Sequence, residues 1–345
     1  MEYYAALDVS MESTCLCGVD EKGRIVRESK VATDPEAIGE WLVGVGVRWT
    51  LVGLEAGPLS NWLHARLTDQ GFPAVLIETR NARAALKAMR NKTDRKDGRG
   101  LAHLLRTAMF REVKAKDLAS QELRTLLGAR HAIKQQLQNI ENSIRGLVKN
   151  YGVRLGKGVR GRLKDKLATA LSDLPRVAAI VEPLAELHQQ LRQKLAGFDR
   201  ELRRVAKSDP VVRLLMTAPG IGPVNGVAYR STIDDPRRFR RSRTVGAHVG
   251  LTPKRYQSGE TDYSGKISRA GDAMLRGLLY EAATTVLSRT HRWSRLKAWG
   301  VRLAARVGKK RARVAVARKL SVILHRMWLD QRPFEFGEVK RTAAA

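Results

Sequence analysis

The sequence predicts an α/β domain with a mixed sheet, then a long helical hairpin and a mainly helical C-terminal region. Three observations predict this order. Short β-rich runs alternate with helix-like segments over residues 1–112. From about Asp117 the apolar residues recur at helical spacing instead. Near Asp209 a third region begins with a Pro-Gly turn between short helical segments, and it extends to residue 333.

The first region begins with three predicted antiparallel strands, because a turn signal, Asp20–Gly23, lies between two of the β-rich runs. Helices and strands then alternate. The predicted segments are strands at Tyr3–Val9, Thr14–Val19, Arg24–Thr33, Trp49–Glu55 and Pro73–Glu78, and helices at Pro35–Val43, Leu59–Asp69, Asn81–Met89 and from Thr93 to Met109. The order β-β-β-α-β-α-β-α is typical of an RNase H-like (RuvC-like) domain, although other α/β folds begin similarly.

The second region, residues 113–208, contains two predicted long amphipathic helices. Apolar residues of the first helix recur at heptad spacing: Leu126, Ile133, Leu137, Ile140, Ile144 and Leu147. A basic, Gly-rich break follows at Gly152–Gly161, and helical spacing returns from Leu184 to Val205. The two helices form an antiparallel hairpin or coiled coil that packs within the chain or pairs with a second copy, and the sequence leaves both possibilities open.

The third region, residues 209–333, resembles a helix-hairpin-helix element around Leu215–Gly222. A helix is predicted from about Ala270 to Ser288, and another from Trp293 to Asp330 with a break near Gly308. The turn-rich segment Gly250–Gly265 separates these parts, and a disordered tail is predicted for residues 334–345.

Charge is the most unusual property of the chain. Its 345 residues include 64 Lys and Arg against 34 Asp and Glu, a formal net charge of +30. Such an excess predicts a polyanionic partner, and nucleic acid is the candidate. The candidate contacts are Gly220, Gly222, Arg237, Arg238, Arg240, Arg241, Lys254, Arg255, Lys309, Lys310 and Arg311.

The sequence contains no apolar run long enough to cross a membrane and no signal-peptide pattern. The only cysteines, Cys15 and Cys17, are two residues apart on one strand, which is a poor geometry for a disulfide. A cytoplasmic protein without a membrane partner is therefore expected.

Four carboxylates differ from the chain's other acids, most of which neighbour basic residues on helices. Asp8 lies within an apolar strand, and Glu55 ends another strand that is its neighbour in an RNase H-like sheet. Asp94 and Asp97 are three positions apart at a predicted helix start and therefore project to one side. Thr93 also fits a helix cap, so that favourable first-turn charges alone would explain Asp94 and Asp97. Taken together, the four oxygen-donor side chains predict a divalent-metal site.

These residues resemble the DEDD transposases of bacterial insertion sequences, a family that includes the bridge-RNA-guided recombinases and the pilin-inversion recombinases. The N-terminal resemblance rests on Leu7–Val9 (LDV), Leu54–Ala56 (LEA) and especially Lys92–Asp97 (KTDRKD). The C-terminal resemblance rests on the segments Pro219–Gly222 (PGIG), Val249–Pro253 (VGLTP), Gln257–Gly259 (QSG), Gly265–Gly271 (GKISRAG) and Leu275–Arg276 (LR). The motifs occur in order from about residue 3 to residue 330.

The resemblance implies a transposase that binds Mg²⁺ (or Mn²⁺) through Asp8, Glu55, Asp94 and Asp97. It selects Ser258 as the nucleophile that forms a covalent phosphoserine with DNA. By itself the sequence offers Ser258 only as a turn residue, with Ser264 and Ser268 nearby. The implied partners are donor and target DNA, a structured bridge RNA, and further copies of the chain in a dimer or a dimer of dimers.

Two alternatives stay open at this point. A RuvC-like junction nuclease would use the same acids with water as the nucleophile, so Ser258 would be dispensable. A non-catalytic basic scaffold for RNA or DNA would use the acids only as helix caps and ion-pair partners.

Overall fold

The computed structural model describes residues 1–87, 93–156 and 163–337, without the side chains of Asn81, Ala84, Ala85 and Asp94. The chain divides into two compact units, Met1–Lys116 and Asp117–Ala345. The predicted boundary at 112/113 is close to this division, while the finer division at 208/209 stays a prediction. Within the described ranges no helix is both long enough and apolar enough to span a bilayer.

The first unit is an α/β domain built on one mixed sheet. Its elements are β1 (Tyr3–Val9), β2 (Ser13–Asp20), β3 (Ile25–Ala32), α1 (Pro35–Val43), β4 (Leu51–Glu55), α2 (Ser60–Asp69), β5 (Ala74–Ile77), α3 (Thr79–Leu86), α4 (Asp94–Arg106) and β6 (Glu112–Val113). The strand order is β3-β2-β1-β4-β5-β6. The first three strands are antiparallel, whereas β1, β4 and β5 are parallel. This topology confirms the predicted mixed sheet.

Each face of this sheet is covered by its own apolar core. Alternate residues of β1 divide between the two faces, as the two-residue period of a strand requires. Leu7 packs with Ile38 of α1 and Leu63 of α2 on one face. Ala6 packs with Leu101 of α4 on the other. Helix α4 therefore lies on the opposite face of the sheet from α1 and α2.

The second unit is mainly helical. Its elements are α5 (Leu118–Lys149), α6 (Leu163–Ala170), α7 (Pro175–Ser208), α8 (Pro210–Leu215), α9 (Pro223–Ile233), α10 (Arg243–His248), β7 (Pro253–Ser258), β8 (Thr261–Ile267), α11 (Ala273–Ser288), α12 (Arg295–Val307) and α13 (Lys309–Asp330). A 3-10 turn at Pro236–Arg238 precedes α10.

Helices α5 and α7 form the predicted antiparallel hairpin within one chain. Near one end, Arg130 donates to Asp199 at 2.7 Å. Further along α5, the buried Glu141 lies 3.2 Å from His188 of α7. Since the α5 numbers rise while the α7 numbers fall, the helices run in opposite directions.

The C-terminal helices confirm the predicted break, since Gly308 separates α12 from α13 with a positive φ of 83°. The tail requires a correction. Disorder was predicted from residue 334, yet Phe334 packs against the helical core and its amide donates to the Thr217 hydroxyl at 2.9 Å. Phe336 lies edge-to-face on Phe334. The two rings order residues 334–337 by burying apolar area, which the composition of the tail did not suggest; residues 338–345 lie outside the described part.

Candidate active site and nucleic-acid surface

Asp8 is the penultimate residue of β1 and Glu55 is the last residue of β4, at the same end of two adjacent parallel strands. Leu7 of β1 pairs with Leu54 of β4, so Asp8 and Glu55 each follow a paired residue at the same level of the sheet. Both side chains project toward α4. For Asp8 this follows from Ala6, two residues earlier, which packs with Leu101. For Glu55 it follows from Gly53, where a Cβ would lie 2.6 Å from the side chain of Leu105 in α4. Both carboxylates are half-buried.

Helix α4 begins over the same end of the sheet. Thr93 caps it by accepting a hydrogen bond from the Lys96 amide at 3.3 Å, which is the predicted capping role. A Cβ at Gly98 would lie 3.8 Å from the Cβ of Cys17 and 4.0 Å from the carbonyl oxygen of Cys15, the residue that pairs with Asp8. The start of α4 is thus seated on β2, directly beside β1.

Asp97 lies on the sheet-facing side of α4, because Leu101 is four residues later and is buried against the sheet. Its side chain is half-buried. Asp94 is the first residue of α4, and its side chain lies outside the described set. Three of the predicted acids therefore occupy one end and one face of the sheet.

The donor set is chemically suited to a hard divalent cation, since every member is a carboxylate. Among the side chains that the structure describes, no group of three or more His, Cys, Asp and Glu residues is arranged to hold a metal ion. The Asp94 side chain lies outside these described side chains. The predicted metal ligands thus remain a prediction that agrees with the donor chemistry and the shared sheet end.

Glu28 of β3 anchors the start of α4, a contact that the sequence-based reasoning missed. Its carboxylate accepts from Arg95 at 2.5 Å and from Arg99 at 2.9 Å. Hydrogen bonds from Arg99 and Arg95 outweigh burial and lower the pKa of Glu28. The pairing partners are 67 and 71 residues apart, so no local pattern could reveal them.

Neither cysteine forms a disulfide. Cys17 is buried at the sheet-facing side of α4, and loss of hydration raises its pKa to about 11. Cys17 is therefore a protonated apolar side chain at neutral pH.

Ser258 lies in the second unit, at the tip of a β-hairpin within the segment for which only turns were predicted. It is the last residue of β7 and pairs with Thr261, so that Gly259 and Glu260 alone form the turn. Gly259 adopts a φ of 53°, a conformation that glycine accepts readily. Every residue of β7 is exposed, Ser258 included. The serine is therefore accessible to a large substrate.

The two predicted phosphate-contacting glycines have different surroundings. Gly220 has a φ of 80°, and a Cβ there would lie 2.6 Å from the carbonyl oxygen of Ala282 in α11. Its identity is thus explained by packing. Gly222 caps the N-terminus of α9 and has open space around its missing Cβ.

The arginine cluster around the 3-10 turn is mostly exposed. Arg237, Arg240 and Arg241 are exposed, as predicted for contacts with a polyanion. Arg238 instead turns inward, where it stacks on Phe239 at 4.7 Å and lies 2.9 Å from Nε2 of His248. Burial lowers the pKa of Arg238. The structure therefore gives Arg238 an internal packing role.

The remaining predicted contacts are exposed cations in the second unit. Lys254 and Arg255 lie on β7, where Arg255 pairs with Asp262. Lys309, Lys310 and Arg311 form the first turn of α13, which holds no acidic residue. Cations at the positive end of a helix dipole oppose folding. Helix stability does not explain these cations, and their contact with a polyanionic partner stays a prediction.

Two family models match the chain in the regions just described. The model named for the DEDD transposases of IS110 elements matches residues 5–153. The model described as "Transposase IS116/IS110/IS902 family" matches residues 212–298, which include Ser258.

Curated relatives match most of the chain. The transposase for insertion sequence element IS1111A of Coxiella burnetii is 27% identical over 339 residues, covering 96% of this chain and 91% of that protein. The putative transposase y4pF/y4sB of Sinorhizobium fredii is 30% identical over 296 residues, covering 84% and 75%. The transposase for insertion sequence element IS1328 of Yersinia enterocolitica is 24% identical over 253 residues.

The mixed sheet with acids at its strand ends and these matches together define the class: an RNase H-like DNA transposase encoded by an insertion sequence. The chain belongs to the IS110/IS116/IS902 family of DEDD transposases. The predicted fold class, enzyme class and DNA substrates are thereby confirmed. Membership of a DEDD family also suggests a divalent metal.

Proposed function

We propose that this transposase joins DNA through a covalent phosphoserine formed by Ser258, with Asp8, Glu55, Asp94 and Asp97 as the acidic centre. The observation that supports the acidic centre is the shared level of Asp8 and Glu55 on neighbouring parallel strands, with the start of α4 on the same face. The exposed tip of the β7–β8 hairpin supports Ser258 as the nucleophile, because a duplex backbone can approach it.

The proposed step exchanges one ester for another. The Ser258 hydroxyl oxygen attacks a backbone phosphorus and loses its proton. A bond forms between phosphorus and the serine oxygen, while the bond to the 3′ oxygen breaks and that oxygen gains a proton. Rejoining reverses the exchange with a 3′ hydroxyl from another strand. Ester bonds are conserved, so the reaction needs neither hydrolysis nor a nucleotide energy source.

The four carboxylates would hold Mg²⁺ or Mn²⁺. When bound, such a cation stabilises negative charge that develops on the phosphate and the leaving oxygen. The chain's own contribution is to fix the carboxylates: the sheet core sets the positions of Asp8 and Glu55, and the Glu28 ion pairs hold the start of α4.

We further propose that the exposed basic residues bind two nucleic acids, the DNA and a structured bridge RNA. A net charge of +30 supports binding through phosphates, which is independent of sequence. Base pairing by the RNA would then choose donor and target sequences. A dimer or dimer of dimers would bring the acidic centre of one copy to the serine of another, and the bacterial cytoplasm is the expected compartment.

The decisive experiment compares Ser258→Ala with Ser264→Ala. Ser264 lies on β8 opposite Arg255, hence on the other face of the same hairpin, which makes it a matched control. Each protein is incubated with Mg²⁺, co-purified RNA and end-labelled duplex carrying a terminus of the element that encodes it. Denaturing gels then show covalent protein–DNA adducts.

We expect Ser258→Ala to lose both the adduct and recombination, and Ser264→Ala to retain both. A Ser258→Ala protein that still cleaves, without any adduct, would support the junction nuclease that uses water. Proteins that neither cleave nor join, while binding nucleic acid without regard to Mg²⁺, would support the non-catalytic scaffold.

A further inference from the structure

Two tyrosines are stacked on the hairpin that carries Ser258. Tyr256 of β7 pairs directly with Tyr263 of β8, and their ring centroids are 4.9 Å apart with planes inclined by 20°. Tyr256 is 46% exposed and Tyr263 is 56% exposed. Trp41 and Trp49, stacked in the core of the first unit, are only 5% and 6% exposed. The tyrosine pair is thus a preformed aromatic surface that the described fold leaves in contact with water.

The local sequence allows this surface to form. A Cβ at Gly265 would lie 2.9 Å from Cε2 of Tyr256, so the missing side chain makes room for the ring. On the opposite face of the hairpin, Arg255 donates two hydrogen bonds to Asp262, at 2.9 and 2.6 Å. Cross-strand pairs on both faces stabilise the hairpin, since none of the residues of β7 is buried. The hairpin is therefore ordered without covering its rings.

Ser258 shares the face of the tyrosine pair. Tyr256 and Ser258 are two positions apart on β7, and residues at this spacing project to the same side of a strand. The separation along the strand is about 7 Å, a distance that one nucleotide can span. Lys254, also exposed, precedes Tyr256 on β7. Along β7 the hairpin thus presents a hydroxyl at the turn, two stacked rings in the middle and a cation near the start of the strand.

We propose that Tyr256 and Tyr263 form a stacking platform for a nucleobase of the DNA strand that Ser258 attacks. Aromatic rings bind the face of any base, and a lysine beside them binds phosphate, so this combination fits a nucleotide better than an apolar protein segment. The inference deepens the proposed function and depends on it for the identity of the attacked strand. The tyrosines would act as positioning residues that fix the backbone phosphorus opposite the serine oxygen.

The test is a thermodynamic cycle between protein and DNA. Tyr263→Phe keeps the ring, Tyr263→Leu removes it, and both are placed in the full chain with Ser258→Ala so that binding is measured without cleavage. Tyr151→Leu is the control, since Tyr151 is 55% exposed in a different part of the unit. Fluorescence anisotropy gives the affinity for a single-stranded oligonucleotide with the sequence of the element terminus, because both faces of each base in a duplex are covered by its neighbours. Single abasic sites are then moved along one strand, one position at a time.

Loss of one stacked base costs about 1–3 kcal/mol by ring removal, which is a loss of about 5-fold to 150-fold in affinity. We expect this loss for Tyr263→Leu and little change for Tyr263→Phe or Tyr151→Leu. At one abasic position the proteins with tyrosine and with leucine at residue 263 should bind with equal affinity, because the base that stacks on the ring is missing there. That coupled position should adjoin the phosphate at which the Ser258 protein forms its adduct.

The proposal is overturned if Tyr263→Leu binds as tightly as Tyr263→Phe, or if no abasic position shows coupling. Coupling that appears only with an RNA oligonucleotide of the same sequence would also overturn it, since the platform would then serve RNA. Coupling between Tyr263 and a DNA base, in a protein that never forms a Ser258 adduct, would support the stacking platform. The same result would contradict only the proposal that Ser258 is the nucleophile. The two proposals therefore fail separately.

Discussion

The acidic end of the sheet and the serine hairpin are built in opposite ways. Asp8 and Glu55 lie in the last residues of strands whose interiors are buried on both faces, and Glu28 holds the start of α4 beside them through ion pairs. Ser258 ends a strand without a single buried residue, in a sheet of only two strands. One site takes its geometry from a core, whereas the other takes it from cross-strand pairs and a two-residue turn.

This difference fits the division of the reaction that we propose between the two sites. Neighbouring carboxylates repel one another because they carry like charges, so the surrounding fold must hold them in place. Half-burial places the atoms of that fold in contact with the carboxylate side chains. A nucleophile that attacks a DNA backbone needs access more than enclosure. In the proposed reaction the hairpin supplies access, and the bound DNA would complete the surroundings of Ser258. Three experiments can break or sharpen this contrast.

The largest effect is expected for Asp8→Asn. If Asp8 is an anionic ligand of the proposed metal site, which would stabilise the transition state by several kcal/mol, its loss should lower recombination by roughly 100-fold or more. Mn²⁺ affinity, measured by titration calorimetry, should fall as well. Ser258→Ala should abolish recombination too, yet leave Mn²⁺ binding unchanged, because the serine is no member of the acidic set.

Thermal unfolding and a matched control complete the Asp8 experiment. The midpoint of Asp8→Asn should stay within a few degrees of wild type, since the amide has the shape of the carboxylate. Asp69→Asn changes an exposed acid in the same unit and should alter neither recombination nor Mn²⁺ binding. Full recombination by Asp8→Asn would show that the acidic end of the sheet is structural.

An intermediate effect is expected from two glycine substitutions. At Gly53 a Cβ would lie 2.6 Å from both δ carbons of Leu105 and 3.0 Å from Ile77. Overpacking of this kind costs about 1–3 kcal/mol, so Gly53→Ala should lower the thermal midpoint of the transposase. At Gly259 the space is open and only the φ of 53° resists a side chain. Gly259→Ala should therefore lower the global midpoint by less than Gly53→Ala does.

The order of the two glycine variants is reversed when adduct formation is measured instead of the thermal midpoint. Gly259→Ala should reduce Ser258 adduct formation, because the turn that sets the serine's position is strained. Gly259→Asn should retain more adduct than Gly259→Ala, since asparagine tolerates a positive φ better. Equal global destabilisation by Gly53→Ala and Gly259→Ala would refute the contrast between a core-built site and an exposed one.

The sequence predicted the first unit closely, for a physical reason. Strands such as Tyr3–Val9 are buried inside a sheet, so each is encoded by a short run of apolar residues. Thr93 indicates the start of α4, because an N-cap depends only on neighbouring residues. The predicted residues Asp8 and Glu55 were recognisable because a carboxylate at the end of an apolar strand is unusual.

The hairpin and its aromatic pair could not be predicted in the same way. The segment Pro253–Ser258 has no apolar alternation, and its pairing with β8 is decided by cross-strand contacts and by Gly259. Ser258 was selected by family resemblance alone. The inward turn of Arg238 likewise depends on Phe239 and His248, which become its neighbours only after folding.

The smallest effect is expected at Glu28, which fastens the start of α4. Because hydrogen bonds from Arg99 and Arg95 lower its pKa below the ordinary 4.5, the ion pairs stabilise the fold fully above pH 4.5. The contribution is lost as the pH falls through the lowered pKa. Urea unfolding should show Glu28→Gln to be less stable than wild type by about 1 kcal/mol at pH 7, and the difference should shrink below pH 4.5. Glu40→Gln, at an exposed position of α1, should show no such dependence. A difference that stays constant down to strongly acidic pH would mean that α4 is held by its apolar face alone.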